Sequence, residues 1–83
     1  MIVQIVSPEA KVFEGECLQV SLPGSEGRFG VLHGHMNLVA ALEAGEVEIT
    51  FTDKSPMIFK TSDGFVDINP ERCTVLVEKA EQA

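Results

Sequence analysis

Apolar and polar residues alternate along several segments of this chain, and the alternation restricts the fold more than any other feature. In the clearest segment, residues 46–52, Val47, Ile49 and Phe51 alternate with glutamate and threonine. Side chains with a period of two line opposite faces of an extended backbone, so this pattern predicts half-buried β-strands. A second segment shows the same alternation in its apolar residues, Leu18, Val20 and Leu22.

Residues that favour turns separate the short apolar stretches at intervals of roughly ten residues. They are Ser7-Pro8, Glu14-Gly15, Pro23-Gly24, Ala44-Gly45, residues 53–56, Asp63-Gly64 and Asn69-Pro70. Short strands with turns at this spacing are typical of an all-β sandwich or barrel and not of alternating β and α units.

Two segments do not follow the strand pattern. Residues 36–44 are rich in helix formers and precede Gly45, which could end a helix, so the pattern alone leaves helix and strand equally open. The last residues, 78–83, turn polar and helix-favouring, and we expect the start of a helix there.

Charge and length exclude several classes of function. The chain has 83 residues, a net charge of −7 and six scattered basic residues, which argues against nucleic acid and anionic membranes as partners. The chain has no apolar run near the ~18 residues of a membrane span. Its first residues do not resemble a signal peptide, so we expect a cytoplasmic protein whose Cys17 and Cys73 are free, buried thiols.

Candidate catalytic and binding motifs are weak. The glycines at 24, 27 and 30 are not followed by the Lys-Ser/Thr of a phosphate loop, so a tight exposed loop is the better interpretation. His33 and His35 would need further ligands to hold a metal, and the spacing of the cysteines does not recommend them. We therefore predict no catalytic residue, no metal and no cofactor.

The loop itself carries a resemblance. Residues 22–32, Leu-Pro-Gly-Ser-Glu-Gly-Arg-Phe-Gly-Val-Leu, followed by Gly34-His35, are similar to a signature of the epsilon subunit family of F-type ATP synthases. Further similar segments occur in the same order along the chain: residues 6–9, 12–16, 63–66, 69–70 and 74–81. The resemblance runs from about Ile2 to Glu81.

The resemblance implies a single domain over residues 1–83, a β-sandwich of two roughly five-stranded, mostly antiparallel sheets. It also implies a strand near Leu38–Leu42. Members of the family belong to the central stalk and rotate with the gamma subunit and the c-ring, which couples proton translocation to ATP synthesis without catalysis by this subunit. We therefore expect a peripheral protein at the cytoplasmic face of the bacterial inner membrane, not inserted in the bilayer and monomeric when isolated.

The resemblance also implies site residues, position by position. One set corresponds to the loop that rests on the c-ring: Ser25, Glu26, Gly27, Arg28 and His35. The other corresponds to positions that face gamma: Ser7, Leu38, Val39 and Ala40.

The chain departs from the family pattern in three places. His33 stands where the family commonly has proline and Met36-Asn37 replaces its usual Ala-Pro, so the turn is less preset; Arg28 stands where some members carry an acidic residue. We expect Arg28 to meet an acidic or polar loop of the c-ring. Because the sequence ends at Ala83, where the family continues into an inhibitory helical hairpin, we expect a short form that couples without inhibiting; a chain cut at the domain boundary is the alternative.

Two other functions stay open. The chain could be a stand-alone β-sandwich adaptor with unrelated partners. It could also be a lipoyl- or biotinyl-type carrier domain that presents Lys54 on a hairpin, although Ser55-Pro56 follows this lysine and the two halves of the chain are not alike.

Overall fold

The computed structural model describes residues 1–34 and 37–83, and every regular element among them is a β-strand. The ten strands are β1 Ile2–Val6, β2 Lys11–Glu16, β3 Gln19–Gly24, β4 Gly27–Leu32, β5 Leu38–Leu42, β6 Gly45–Thr50, β7 Met57–Thr61, β8 Gly64–Ile68, β9 Arg72–Val77 and β10 Ala80–Gln82. The all-β prediction is confirmed.

The strands form two groups of five. The first sheet has the order β10-β7-β6-β3-β4 and the second β5-β8-β9-β1-β2. A single residue pair, Gly24 of β3 and Leu42 of β5, joins them. Neighbouring strands are antiparallel except β1 and β9, which are parallel. The predicted sandwich of two roughly five-stranded, mostly antiparallel sheets is therefore confirmed.

The core lies between the two sheets and follows the alternation read from the sequence. Val47 and Ile49 are fully buried and Phe51 is buried beside them, as predicted. The Phe51 ring meets the Phe13 ring edge-on, with the ring centroids 6.5 Å apart. Leu18 is the exception: it precedes β3 and is 49% exposed, so its expected place on the buried face is wrong.

Tertiary pairing decides the two ambiguous segments. Leu38–Leu42 is strand β5, paired along its length with β8, which confirms the strand implied by the resemblance. The expected helix start in residues 78–83 is wrong, because Ala80–Gln82 pairs with β7 and the Ala83 N–H donates to the Ile58 carbonyl at 2.8 Å. A single helical turn has an unfavourable nucleation cost, whereas a strand edge offers ready backbone partners.

Both cysteines are free, as predicted. Cys73 is buried, and burial raises its pKa to about 12. Cys17 is only half-buried, and burial raises its pKa to a smaller extent. Among residues 1–34 and 37–83 there is no helix with the length and apolarity needed to cross a membrane.

Candidate docking face and hairpin

The outer face of the second sheet carries a row of apolar side chains across four adjacent strands. Ala41 of β5 lies opposite Phe65 of β8, Phe65 opposite Leu76 of β9, and Leu76 opposite Val6 of β1. Phe65 is 56% exposed and Leu76 is 44% exposed. We call Ala41, Phe65, Leu76 and Val6 the apolar strip. A contiguous exposed apolar surface of this kind commonly marks a site of protein–protein contact.

The residues expected to face gamma lie around this strip, but not all on it. Val39 is 68% exposed and is two residues from Ala41 on the same face of β5. Ser7 follows Val6 at the other end of the strip, where its hydroxyl donates to the Ala10 carbonyl. Ala40 packs against the core, since strand alternation turns it away from Val39.

Leu38 is 40% exposed and lies opposite buried Ile68 in the β5–β8 pairing, so it belongs to the alternate residues of β5 that face the core. The structure therefore brings Ser7 and Val39 to opposite ends of one surface. Leu38 and Ala40 lie on the other face of β5, towards the core.

Two residues of the strip, Phe65 and Leu76, were not among the sequence candidates. The signal for them was present, because Phe65 and Leu76 each stand directly beside a valine in a strand. Consecutive residues of a strand face opposite sides, so both members of an apolar pair cannot enter the same core. Which member faces outward depends on register with neighbouring strands.

The glycine-rich segment forms a β-hairpin, in which a two-residue turn joins β3 to β4. Gly24 and Gly27 close the turn formed by Ser25 and Glu26, whose side chains are exposed. Gly27 has a φ of 127°, a conformation that L side chains rarely adopt. A Cβ on Gly24 would lie 2.6 Å from the Gly27 carbonyl oxygen, so only glycine fits there. The tight, exposed loop predicted for residues 24–30 is confirmed only at Ser25–Glu26, which we call the hairpin turn, because residues 27–30 pair with β3 as part of β4.

The hairpin turn lies directly beside the apolar strip. The Ser25 N–H donates to the carbonyl of Ala41, a strip residue, at 3.1 Å. Between the turn and β5 runs an open cleft of about 600 Å³, lined by residues 24–29 and 38–41. The two surfaces that the sequence assigned to separate partners therefore meet at Ala41.

Arg28 follows the turn, and its guanidinium folds back onto its own sheet. Nε donates to the Ser21 hydroxyl at 2.9 Å. Nη2 donates to the Glu46 carbonyl at 2.7 Å and to the Ser21 carbonyl at 3.4 Å. These acceptors belong to β3 and β6, so the side chain crosses the outer face of the first sheet.

The remaining candidates are not brought together with these groups. His35 lies outside the described residues, and His33 is exposed in the turn after β4. In the part of the chain that the structure describes, no three His, Cys, Asp or Glu side chains are grouped as metal ligands would be. The Nζ atom of Lys54 lies 4.4 Å from the centroid of the Phe51 ring, a cation–π contact within its own loop.

The chain is thus a β-sandwich domain with an exposed apolar strip and a glycine hairpin beside it. The sequence model of the family described as ATP synthase, Delta/Epsilon chain, beta-sandwich domain matches residues 1–83. The chain belongs to this family. This membership does not support the alternative of a lipoyl- or biotinyl-type carrier domain with Lys54 as attachment site.

Curated relatives carry the name ATP synthase epsilon chain. The chain is 42% identical over 77 residues to the epsilon chain of Sulfurimonas denitrificans, and the aligned region covers 93% of this chain and 59% of the relative. It is 40% identical over 78 residues to that of Helicobacter pylori, covering 94% of this chain and 63% of the relative. The chain thus spans about six-tenths of the length of these relatives.

Two solved structures have the same fold. A chain of the Euglena gracilis mitochondrial ATP synthase, determined as OSCP/F1/c-ring, superposes with a TM-score of 0.91 at 21% identity, covering 99% of this chain and 52% of that one. A chain of the Tetrahymena thermophila mitochondrial ATP synthase central stalk and c-ring gives a TM-score of 0.80 at 14% identity, covering 96% and 64%.

Proposed function

We propose that residues 1–83 act as one non-catalytic docking domain in the rotor of an F-type ATP synthase, bound to the gamma subunit and the c-ring. Membership of the delta/epsilon family supports this, as do relatives named epsilon chain and solved structures of the same fold titled as central stalk and c-ring assemblies. The observation that carries the proposal is the exposed apolar strip. In this role the domain couples proton translocation to ATP synthesis and works without a cofactor of its own.

The strip is the surface proposed to receive gamma. Its core is Phe65 and Leu76, flanked by Val39 and Ser7 at its two ends. A few side chains at the centre of a contact, aromatic ones above all, supply most of the binding free energy, while the contacts around them exclude water. Leu38 and Ala40 support this surface from below.

The hairpin turn is the surface proposed to rest on the polar loops of the c-ring. Ser25, Glu26 and Gly27 present an exposed backbone with small or polar side chains, which allows close approach to a loop. His35 and Arg28 belong to the same proposed surface. Because the turn is hydrogen-bonded to Ala41, one rigid body contacts both partners and can transmit torque between them.

The location follows from these partners. A domain bound to a c-ring lies at the membrane surface without entering the bilayer, which supports a peripheral place at the cytoplasmic face of the bacterial inner membrane. The isolated chain is expected to be monomeric, because its charge of −7 opposes self-association.

The test replaces Phe65 with serine and measures binding to the gamma–c-ring assembly of the same enzyme. Phe65 is 56% exposed. Because a fully exposed phenylalanine side chain has about 200 Å² of accessible surface, roughly 110 Å² of Phe65 would become buried on binding. At about 25 cal/mol per Å² this is about 3 kcal/mol, or about a hundredfold in Kd, as an upper value.

Leu32→Ser is the matched control. Leu32 is 54% exposed, but it lies on the first sheet, away from the strip. We expect Phe65→Ser to weaken binding ten- to a hundredfold and Leu32→Ser to change it less than about twofold. Equal losses in the two variants, or none in either, would refute the proposed docking face.

A further inference from the structure

Proline interrupts the pairing of β3 with β6 close to the hairpin. The register places Ser21 opposite Glu48, so the next pair two residues on would be Pro23 and Glu46. Proline has no N–H, and so it cannot donate to the Glu46 carbonyl. Pro23 uses its own carbonyl elsewhere, as acceptor for the Glu43 N–H at 2.8 Å.

The Arg28 guanidinium supplies the donor that Pro23 lacks. Its Nη2 donates to the Glu46 carbonyl at 2.7 Å, while its Nε holds the Ser21 hydroxyl at 2.9 Å. Arg28 lies opposite Pro23 in the β3–β4 ladder. The side chain therefore reaches over the proline and ties the hairpin to β6 at the point where β3 leaves that strand.

Few other bonds hold the hairpin at this point. Beyond Ser21, β3 is paired with the second sheet through Gly24 and Leu42 only. Around that pair the Glu43 N–H donates to the Pro23 carbonyl at 2.8 Å and the Ser25 N–H donates to the Ala41 carbonyl at 3.1 Å. The direction of the hairpin turn thus depends on a small number of hydrogen bonds, and the exposed Arg28 guanidinium makes three of those around it.

We propose that Arg28 is a positioning residue, which replaces the ladder bond that Pro23 cannot make and thereby holds the hairpin turn in its docking orientation. Its contribution to docking then lies in geometry, and its charge is not read by the partner. This inference rests on the proposed function, but the hydrogen-bonding role is testable in the isolated domain. Only arginine has the planar fork to engage the Ser21 hydroxyl and the Glu46 carbonyl together.

The first experiment measures amide hydrogen exchange in the isolated domain for wild type and Arg28→Met. We expect exchange at Ser25 and Glu43 to become about three- to tenfold faster, the range expected for losing hydrogen bonds of this kind. Lys60→Met is the charge control, since it removes an exposed cation from the same sheet and should leave both amides unchanged.

A second substitution makes the test specific. Pro23→Ala restores an N–H that can donate to the Glu46 carbonyl, so Arg28→Met should change exchange less than about twofold in that background. An equal acceleration with and without Pro23, or no acceleration in either, would overturn the proposal regardless of what the domain binds.

The second experiment measures rotor binding at two salt concentrations. A positioning role predicts that Arg28→Met and Arg28→Lys both weaken binding, that Pro23→Ala reduces the loss, and that the salt dependence stays that of wild type. Full binding by Arg28→Lys with a flattened salt dependence for Arg28→Met would overturn the proposal, because the charge itself would then be recognised. Failure of the wild-type domain to bind would refute the proposed function and leave the exchange experiment to decide the role of Arg28.

Discussion

Thr61 provides a prediction about stability that follows directly from the structure. It lies in β7 between Gly45 and Ala80, and it is 7% exposed. Its Oγ1 atom is buried and has no hydrogen-bond partner among the described residues. A buried hydroxyl in this condition loses its bond to water without replacement, which costs about 1–3 kcal/mol.

Thr61→Val keeps the β-branched shape and exchanges the hydroxyl for a methyl group. The free energy of unfolding should rise by about 2 kcal/mol, since the desolvation cost disappears and an apolar group is buried instead. For a domain of this size the melting temperature should increase by about 10 °C. Urea unfolding and calorimetry, each at the same pH and salt, measure the two quantities.

Two controls separate the hydroxyl from the rest of the side chain. Thr61→Ser keeps the hydroxyl, loses the methyl group and should destabilise the domain by about 1 kcal/mol. Thr74→Val removes a hydroxyl that donates to the Gln4 side chain at 3.4 Å, and it should not stabilise. If Thr61→Val proves neutral or destabilising, the hydroxyl is hydrogen-bonded in solution and the reasoning is refuted.

Two further predictions concern packing and thiol reactivity. Gly64→Ala should lower the free energy of unfolding by about 3 kcal/mol, because the added Cβ would overlap the backbone oxygen of Leu76. Gly15→Ala is the control and should change it by less than about 1 kcal/mol. Urea unfolding measures both variants, and equal effects would contradict the clash. Iodoacetamide at pH 8 should alkylate half-buried Cys17 long before buried Cys73, whose pKa is raised to about 12, and mass spectrometry of the native protein would expose the reverse order.

The sequence by itself determined the fold class and the presence of a tight turn that requires glycine. Strand alternation placed Val47 and Ile49 on the buried face because a period of two leaves only two choices of face, and the apolar set identifies the inner one. A tight turn could also be predicted, because glycine permits a positive φ and close backbone approach; Gly27 has the positive φ, and a Cβ on Gly24 would meet backbone. Both results depend on interactions between residues close in the chain.

Only the tertiary structure decided the features that depend on strands distant in sequence. Residues 80–82 favour a helix locally but form β10, because β7 offers an edge with unpaired backbone groups. The apolar strip exists because register aligns Phe65 with Leu76 and with Ala41, and no pattern within one strand contains that alignment. The Arg28 side chain lies on the Glu46 carbonyl, a contact that joins β4 to β6 across β3 and has no signal within any one strand. Local periodicity thus predicts which face of a strand is buried, while pairing between strands determines what the exposed faces form together.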